Sequence, residues 1–156
     1  MDTSLPPNRA GMICFNRAGE VLVISALGKP NSWVFPKGHI ETGEESWEAA
    51  VREVEEEARI HATVDTGESI GTTSYKLESG EEVVTEWWTG LGVREQIEPL
   101  SGDELGWGFR LAKWVRWEVA LELLSFPDLR NMLRRSLCLP EVEDSAVTIT
   151  DPKEVD

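Results

Sequence analysis

The stretch GHIETGEESWEAAVREVEEEARI, residues 38–60, decides how this chain folds and what chemistry it carries. Its first half is a loop rich in glycine, threonine and glutamate. From Ser46 the pattern turns helical, with apolar residues at Trp47, Ala50, Val51, Val54 and Ala58. That spacing draws one stripe along a helix and buries it on a core. Ser46 is the expected N-cap. With about 100° per residue, Glu53, Glu56 and Glu57 fall together on the side away from the stripe, and Glu55 falls elsewhere.

Like charges at i, i+3 and i, i+4 destabilise a helix by a few tenths of a kcal/mol per pair. Two explanations fit. One is a solvated acidic face, common on protein surfaces. The other is a hard divalent cation, which takes carboxylate oxygens and keeps waters that can act as nucleophiles. Arg52 sits i, i+4 from Glu56 and is expected to orient that carboxylate through a forked hydrogen bond.

The upstream residues separate these explanations. Gly38, five residues, Glu44, seven residues, Arg52-Glu53-Val54, one residue, Glu56-Glu57, two residues and Ile60 follow in order. This resembles the Nudix box, G-x5-E-x7-R-E-U-x-E-E-x-G-U, with U a bulky apolar residue. Every fixed position matches except Arg59, where the box has glycine. That glycine ends the helix in the left-handed conformation, which costs another residue roughly 1 kcal/mol. The helix end at Arg59 is therefore expected to be strained or differently shaped.

The resemblance covers about residues 10–138 and implies an α/β/α sandwich with a mixed β-sheet and a pyrophosphohydrolase activity. It implies that Glu53, Glu56 and Glu57, with the Gly38 carbonyl, ligate Mg2+, with Mn2+ as a substitute ion. Glu56 would also act as general base, and Glu44 would support Arg52. Some members draw the base from downstream, so Glu81, Glu82, Glu86, Asp103 and Glu104 stay open. The entry Pro36-Lys37-Gly38-His39 resembles diadenosine polyphosphate hydrolases and diphosphoinositol polyphosphate phosphohydrolases. In that likeness Lys37, His39 and Tyr75 meet substrate, most naturally a dinucleoside polyphosphate. Nucleoside triphosphates, ADP-ribose, diphosphoinositol polyphosphates and capped RNA are the alternatives. A ligand sensor without catalysis is disfavoured, because such proteins tend to lose box glutamates.

Around the box, Ala10–Phe15 and Val21–Leu27 read as a hairpin, 28–32 as a loop and Trp33–Phe35 as a short strand. Strands follow near 62–64, 70–77, 83–93 and 109–115, then helices at 118–124 and 128–137 broken by Pro127. Trp87-Trp88 puts one indole on each face of its strand, one for the core and the other for core or base stacking. Residues 1–9 read as a disordered lead-in, 10–138 as the catalytic domain and 139–156 as an acidic flexible tail.

The chain has 156 residues and a formal charge of −14. One domain of this size buries a sufficient core without staples. The acidity disfavours anionic membranes and long nucleic acid and suits a small polyanion bridged by cations. Cys14 and Cys138 form no metal or redox motif, and nothing resembles a signal peptide or a spanning helix. A cytoplasmic enzyme is expected, with its oligomeric state open and a homodimer among the options.

Overall fold

The computed structural model describes residues 5–26, 28–65, 67–92 and 111–142. Eight strands form one mixed sheet: β1 Arg9–Phe15, β2 Val21–Ala26, β3 Lys29–Val34, β4 Lys37–His39, β5 Ala62–Val64, β6 Gly71–Lys76, β7 Glu82–Gly92 and β8 Ala112–Val115. The helices are α1 Ser46–Ala58, α2 Trp117–Leu123 and α3 Pro127–Ser136. β1 and β7 lie parallel at the centre, in register from Arg9↔Thr85 to Phe15↔Leu91. The other edge of β1 is shared, with β4 on its first residues and β2 at Phe15. β7 likewise shares its far edge between β6 and β5.

Helices cover both faces of this sheet, giving the expected α/β/α sandwich. α1 packs on β1, β4 and β7 through an alanine-rich seam, with Ala49, Ala50, Val54 and Ala58 all buried. Small residues let the helix axis approach the sheet closely, so the carboxylates on its flank stay near the strands. Trp88 points to this face and its indole N–H donates to Ser46 Oγ at 2.9 Å. Trp87 points to the opposite face, where it donates to Thr73 Oγ1 at 2.9 Å and meets Phe35 edge-on. Both indoles are buried, so neither is available for base stacking.

Several local expectations change. Residues 29–32, expected as loop, belong to β3, which sits at the end of the sheet order and so tolerates Pro30. Ser46 is the first helical residue and not the cap. Glu45 takes the capping position, and its N–H donates to Glu48 Oε1 at 2.8 Å. The Ser46 hydroxyl instead accepts the Trp88 indole. Pro127 opens α3 as its first residue, where its missing N–H costs nothing. Arg9, left in the lead-in by sequence, begins β1, and the Asn8 side chain bonds the β7 backbone at Glu82 and Val84. The strand expected near 109–115 is described as Ala112–Val115, and residues 93–110 lie outside the described residues.

Arg59 adopts the left-handed conformation a glycine would take, with φ 57° and ψ 37°, and its N–H donates to Glu55 O at 2.9 Å. The helix end keeps the glycine shape and carries strain instead of a new geometry. Arg59→Gly is expected to stabilise the fold by about 0.5–1 kcal/mol, read from urea unfolding. An unchanged or lower midpoint would mean that the arginine side chain more than offsets its backbone cost.

Candidate active site

The site is built where β4 leads into α1. β4 pairs antiparallel with β1 at Arg9↔His39, Ala10↔Gly38 and Gly11↔Lys37. Gly38 is buried, and a Cβ there would enter the Glu53 carboxylate. The first box glycine is thus a matter of space, since the strand and the helix meet through that missing side chain.

Arg52 holds the loop and helix together. Its Nε and Nη2 donate to the two oxygens of Glu44 at 2.9 and 3.0 Å. Nη2 also donates to the His39 carbonyl at 2.8 Å, and Nη1 to Glu53 Oε2 at 2.9 Å and Glu56 Oε1 at 3.1 Å. The fork expected at Glu56 is therefore spent on Glu44, and Glu56 receives one bond of a shared nitrogen. Glu44 in turn accepts the Glu41 N–H at 3.0 Å. The Arg52 hydrogen bond holds the Glu44 carboxyl below its usual range, and Arg52 itself is pushed up, chiefly by Glu44.

The three helix carboxylates sit in different environments. Glu53 is 8 % exposed, and burial, followed by the charge of Glu57, pushes its carboxyl up to about 7, against the pull of Arg52. Glu57 Oε1 accepts the Lys37 backbone N–H at 3.0 Å. The Glu56 side chain is 57 % exposed. Among the described residues no three acidic, histidine or cysteine side chains converge closely enough to grip an ion as they stand. The donor set nevertheless suits one: hard oxygens on one helix face, with a buried carboxylate whose ionised form lacks enough local compensation. Glu53 and Glu56 already accept from the same Arg52 nitrogen, Nη1, which keeps the two carboxylates near each other.

Register defines the other side of β4. Residues directly opposite in a ladder share a face, as do residues two apart in a strand. Arg9 pairs with His39 and Thr85, Thr85 pairs with Thr73, and Tyr75 lies two further along β6. Arg9, Lys37, His39, Thr73, Tyr75 and Thr85 therefore lie on the face away from α1. Lys37 and Tyr75 are half-buried there and His39 is exposed. Arg9 is 3 % exposed and was not singled out by sequence. No spacing rule ties residue 9 to residue 37; only the sheet register brings them together. Basic side chains thus line the face of β4 opposite the one that meets the carboxylates.

Among the downstream acids, Glu81 lies in the β6–β7 turn and Glu82 opens β7. Glu86 lies across Ala10 from Gly38, on the α1 face. Asp103 and Glu104 lie outside the described residues. Both cysteines are free; Cys14 is buried, which pushes its thiol up to about 12. No helix among the described residues is long and apolar enough to cross a membrane.

The NUDIX domain model matches residues 5–136, and the chain belongs to the Nudix family of pyrophosphohydrolases, enzymes that generally use divalent metal ions. It is 29 % identical over 131 residues to the asymmetrical bis(5'-nucleosyl)-tetraphosphatase of Caenorhabditis elegans, spanning 81 % of this chain and 91 % of that protein. It is 41 % identical over 86 residues to the RNA pyrophosphohydrolase of Azorhizobium caulinodans, spanning 51 % of this chain and 50 % of that one. A crystal structure of a C. elegans Ap4A hydrolase binary complex superposes with a TM-score of 0.68 at 27 % identity, over 83 % of this chain and 94 % of that chain.

Proposed function

We propose that this chain hydrolyses a phosphoanhydride bond of a dinucleoside polyphosphate, most naturally a diadenosine polyphosphate, with Mg2+ and with Mn2+ as a substitute. The observation that carries this reading is β4, whose Gly38 packs on Glu53 and whose Lys37 backbone N–H meets Glu57, while the Lys37 and His39 side chains lie with Arg9 on its other face. A polyphosphate chain needs basic groups along its length and a hydrolytic centre at one bond, and this short strand carries both, one on each face. Likeness to the C. elegans tetraphosphatase supports the substrate class. Likeness to an RNA pyrophosphohydrolase favours a second reading, a 5'-phosphorylated RNA end, which the formal charge of −14 disfavours.

Glu53, Glu56 and Glu57, with the Gly38 carbonyl, would hold the ion. When bound it would neutralise phosphate oxygens and make a water nucleophilic at neutral pH. Glu56, the most exposed of the three, takes the proton of the attacking water. Arg52 and Glu44 hold the loop and helix so that the carboxylates keep their places. Lys37, His39 and Arg9 bind the phosphates that flank the scissile bond, and Tyr75 packs beside the substrate. We place the catalytic domain at residues 10–138 and the enzyme in the cytoplasm.

Incubation with dinucleoside polyphosphates, nucleoside triphosphates, ADP-ribose, a diphosphoinositol polyphosphate and capped RNA, with products resolved by chromatography, tests this reading. Dinucleoside polyphosphates are expected to turn over fastest, and excess chelator to stop the reaction. Glu56→Gln is expected to lower kcat by roughly 10²–10⁴-fold. Comparable rates across the panel would overturn the substrate, activity in chelator the metal, and wild-type turnover of Glu56→Gln the base.

A further inference from the structure

Residues 139–142, assigned by sequence to a tail, double back along α3 and are clasped by it. Asn131 grips one residue of that segment at both ends of its backbone: Nδ2 donates to Val142 O at 2.7 Å, and Oδ1 accepts Val142 N–H at 2.8 Å. Arg135 forks the Glu141 carboxylate, Nε donating to Oε2 at 2.9 Å and Nη2 to Oε1 at 3.1 Å. Its remaining nitrogen, Nη1, donates to Ile70 O at 2.9 Å, the residue that precedes β6. Arg135 also lies over Gly71, where φ is 134° and a Cβ would meet the guanidinium, so the arginine packs directly on the first residue of β6.

β6 carries Tyr75 and Thr73 on the face away from α1, and Thr73 accepts the Trp87 indole. We propose that Arg135, held in its fork by Glu141 and the Asn131 clasp, is a positioning residue for β6, so that the segment just beyond α3 sets the seat of Tyr75. A bidentate guanidinium leaves few alternative rotamers, which makes its third bond, to Ile70, directional. A lysine in its place would reach one partner at a time. The part of this inference that concerns substrate rests on the function proposed above; the mechanical part does not.

The test uses full-length Arg135→Met, Glu141→Gln and Asn131→Ala, none of which belongs to the Glu53, Glu56 and Glu57 carboxylate set or to the proposed phosphate-binding residues. Amide hydrogen exchange is expected to quicken in β6 while α1 is unchanged. KM for the preferred substrate should rise about threefold to tenfold at constant kcat, the range an exposed charged network transmits. The double variant Arg135→Met/Glu141→Gln should match Arg135→Met alone, because both break one network. Unchanged exchange in β6, or exchange that quickens equally across the sheet, would overturn the positioning role. Faster β6 exchange at constant KM would keep the link and instead remove Tyr75 from the substrate site.

Discussion

Glu53→Gln is expected to abolish turnover and, without divalent ions, to make the protein more stable at pH 8. Both effects come from one buried carboxylate. In the proposed site Glu53 would ligate the ion, and its loss would then forfeit several kcal/mol of charge stabilisation, on the order of 10³-fold in kcat. As a buried acid its folded-state value is raised to about 7, first by burial and then by Glu57. Protonation therefore favours the folded state. The Glu53 contribution is fully present below the unfolded value near 4.5 and is lost as pH rises through 7. Glutamine does not ionise, so the gap between variant and wild type should open over that window to about 3 kcal/mol. Urea unfolding in chelator at pH 5 and pH 8 measures it. Magnesium should raise the wild-type melting temperature more at pH 8 than at pH 5, and should do little for the variant. Equal stability of the two proteins at pH 8 would remove the buried charge from the account.

Arg52→Lys should be the most damaging conservative change. Arg52 serves both Glu44 oxygens, the His39 carbonyl, Glu53 and Glu56 with three nitrogens. A lysine supplies one point charge and no fork. Three acidic side chains and a carbonyl would then share a single ammonium. Because a quarter of the arginine is exposed, the cost falls below that of a fully buried pair, at about 2–4 kcal/mol. Turnover should drop by at least about tenfold, since the loop and the helix would no longer be tied at His39. A loss of less than about 1 kcal/mol would place this network with ordinary surface pairs.

Much of the box was legible because its determinants are local. The apolar stripe from Trp47 to Ala58 specifies a helix, and helical spacing alone puts Glu53, Glu56 and Glu57 on one flank. What stayed hidden depends on partners far away in the chain. Arg9 joins the face away from α1 only because β1 and β4 pair at Arg9↔His39. The fork of Arg52 turns to Glu44 because the loop folds back over the helix, which a helical wheel does not represent. The Ser46 hydroxyl bonds Trp88, 42 residues away, and the cap falls to Glu45. Arg59 was visible as a departure, but only the backbone shows that it accepts the conformation glycine would have taken.

Gly38 has a consequence for how this enzyme can change. The Glu53 carboxylate occupies the volume a side chain at position 38 would need. In a saturation library screened for activity, position 38 should therefore return glycine alone. Its neighbours Lys37 and His39 look to the other side of the strand, so replacements there meet no such obstacle from Glu53 and should be limited only by what they do to substrate binding. One short strand thus joins a position closed to change with two that are sterically open to it.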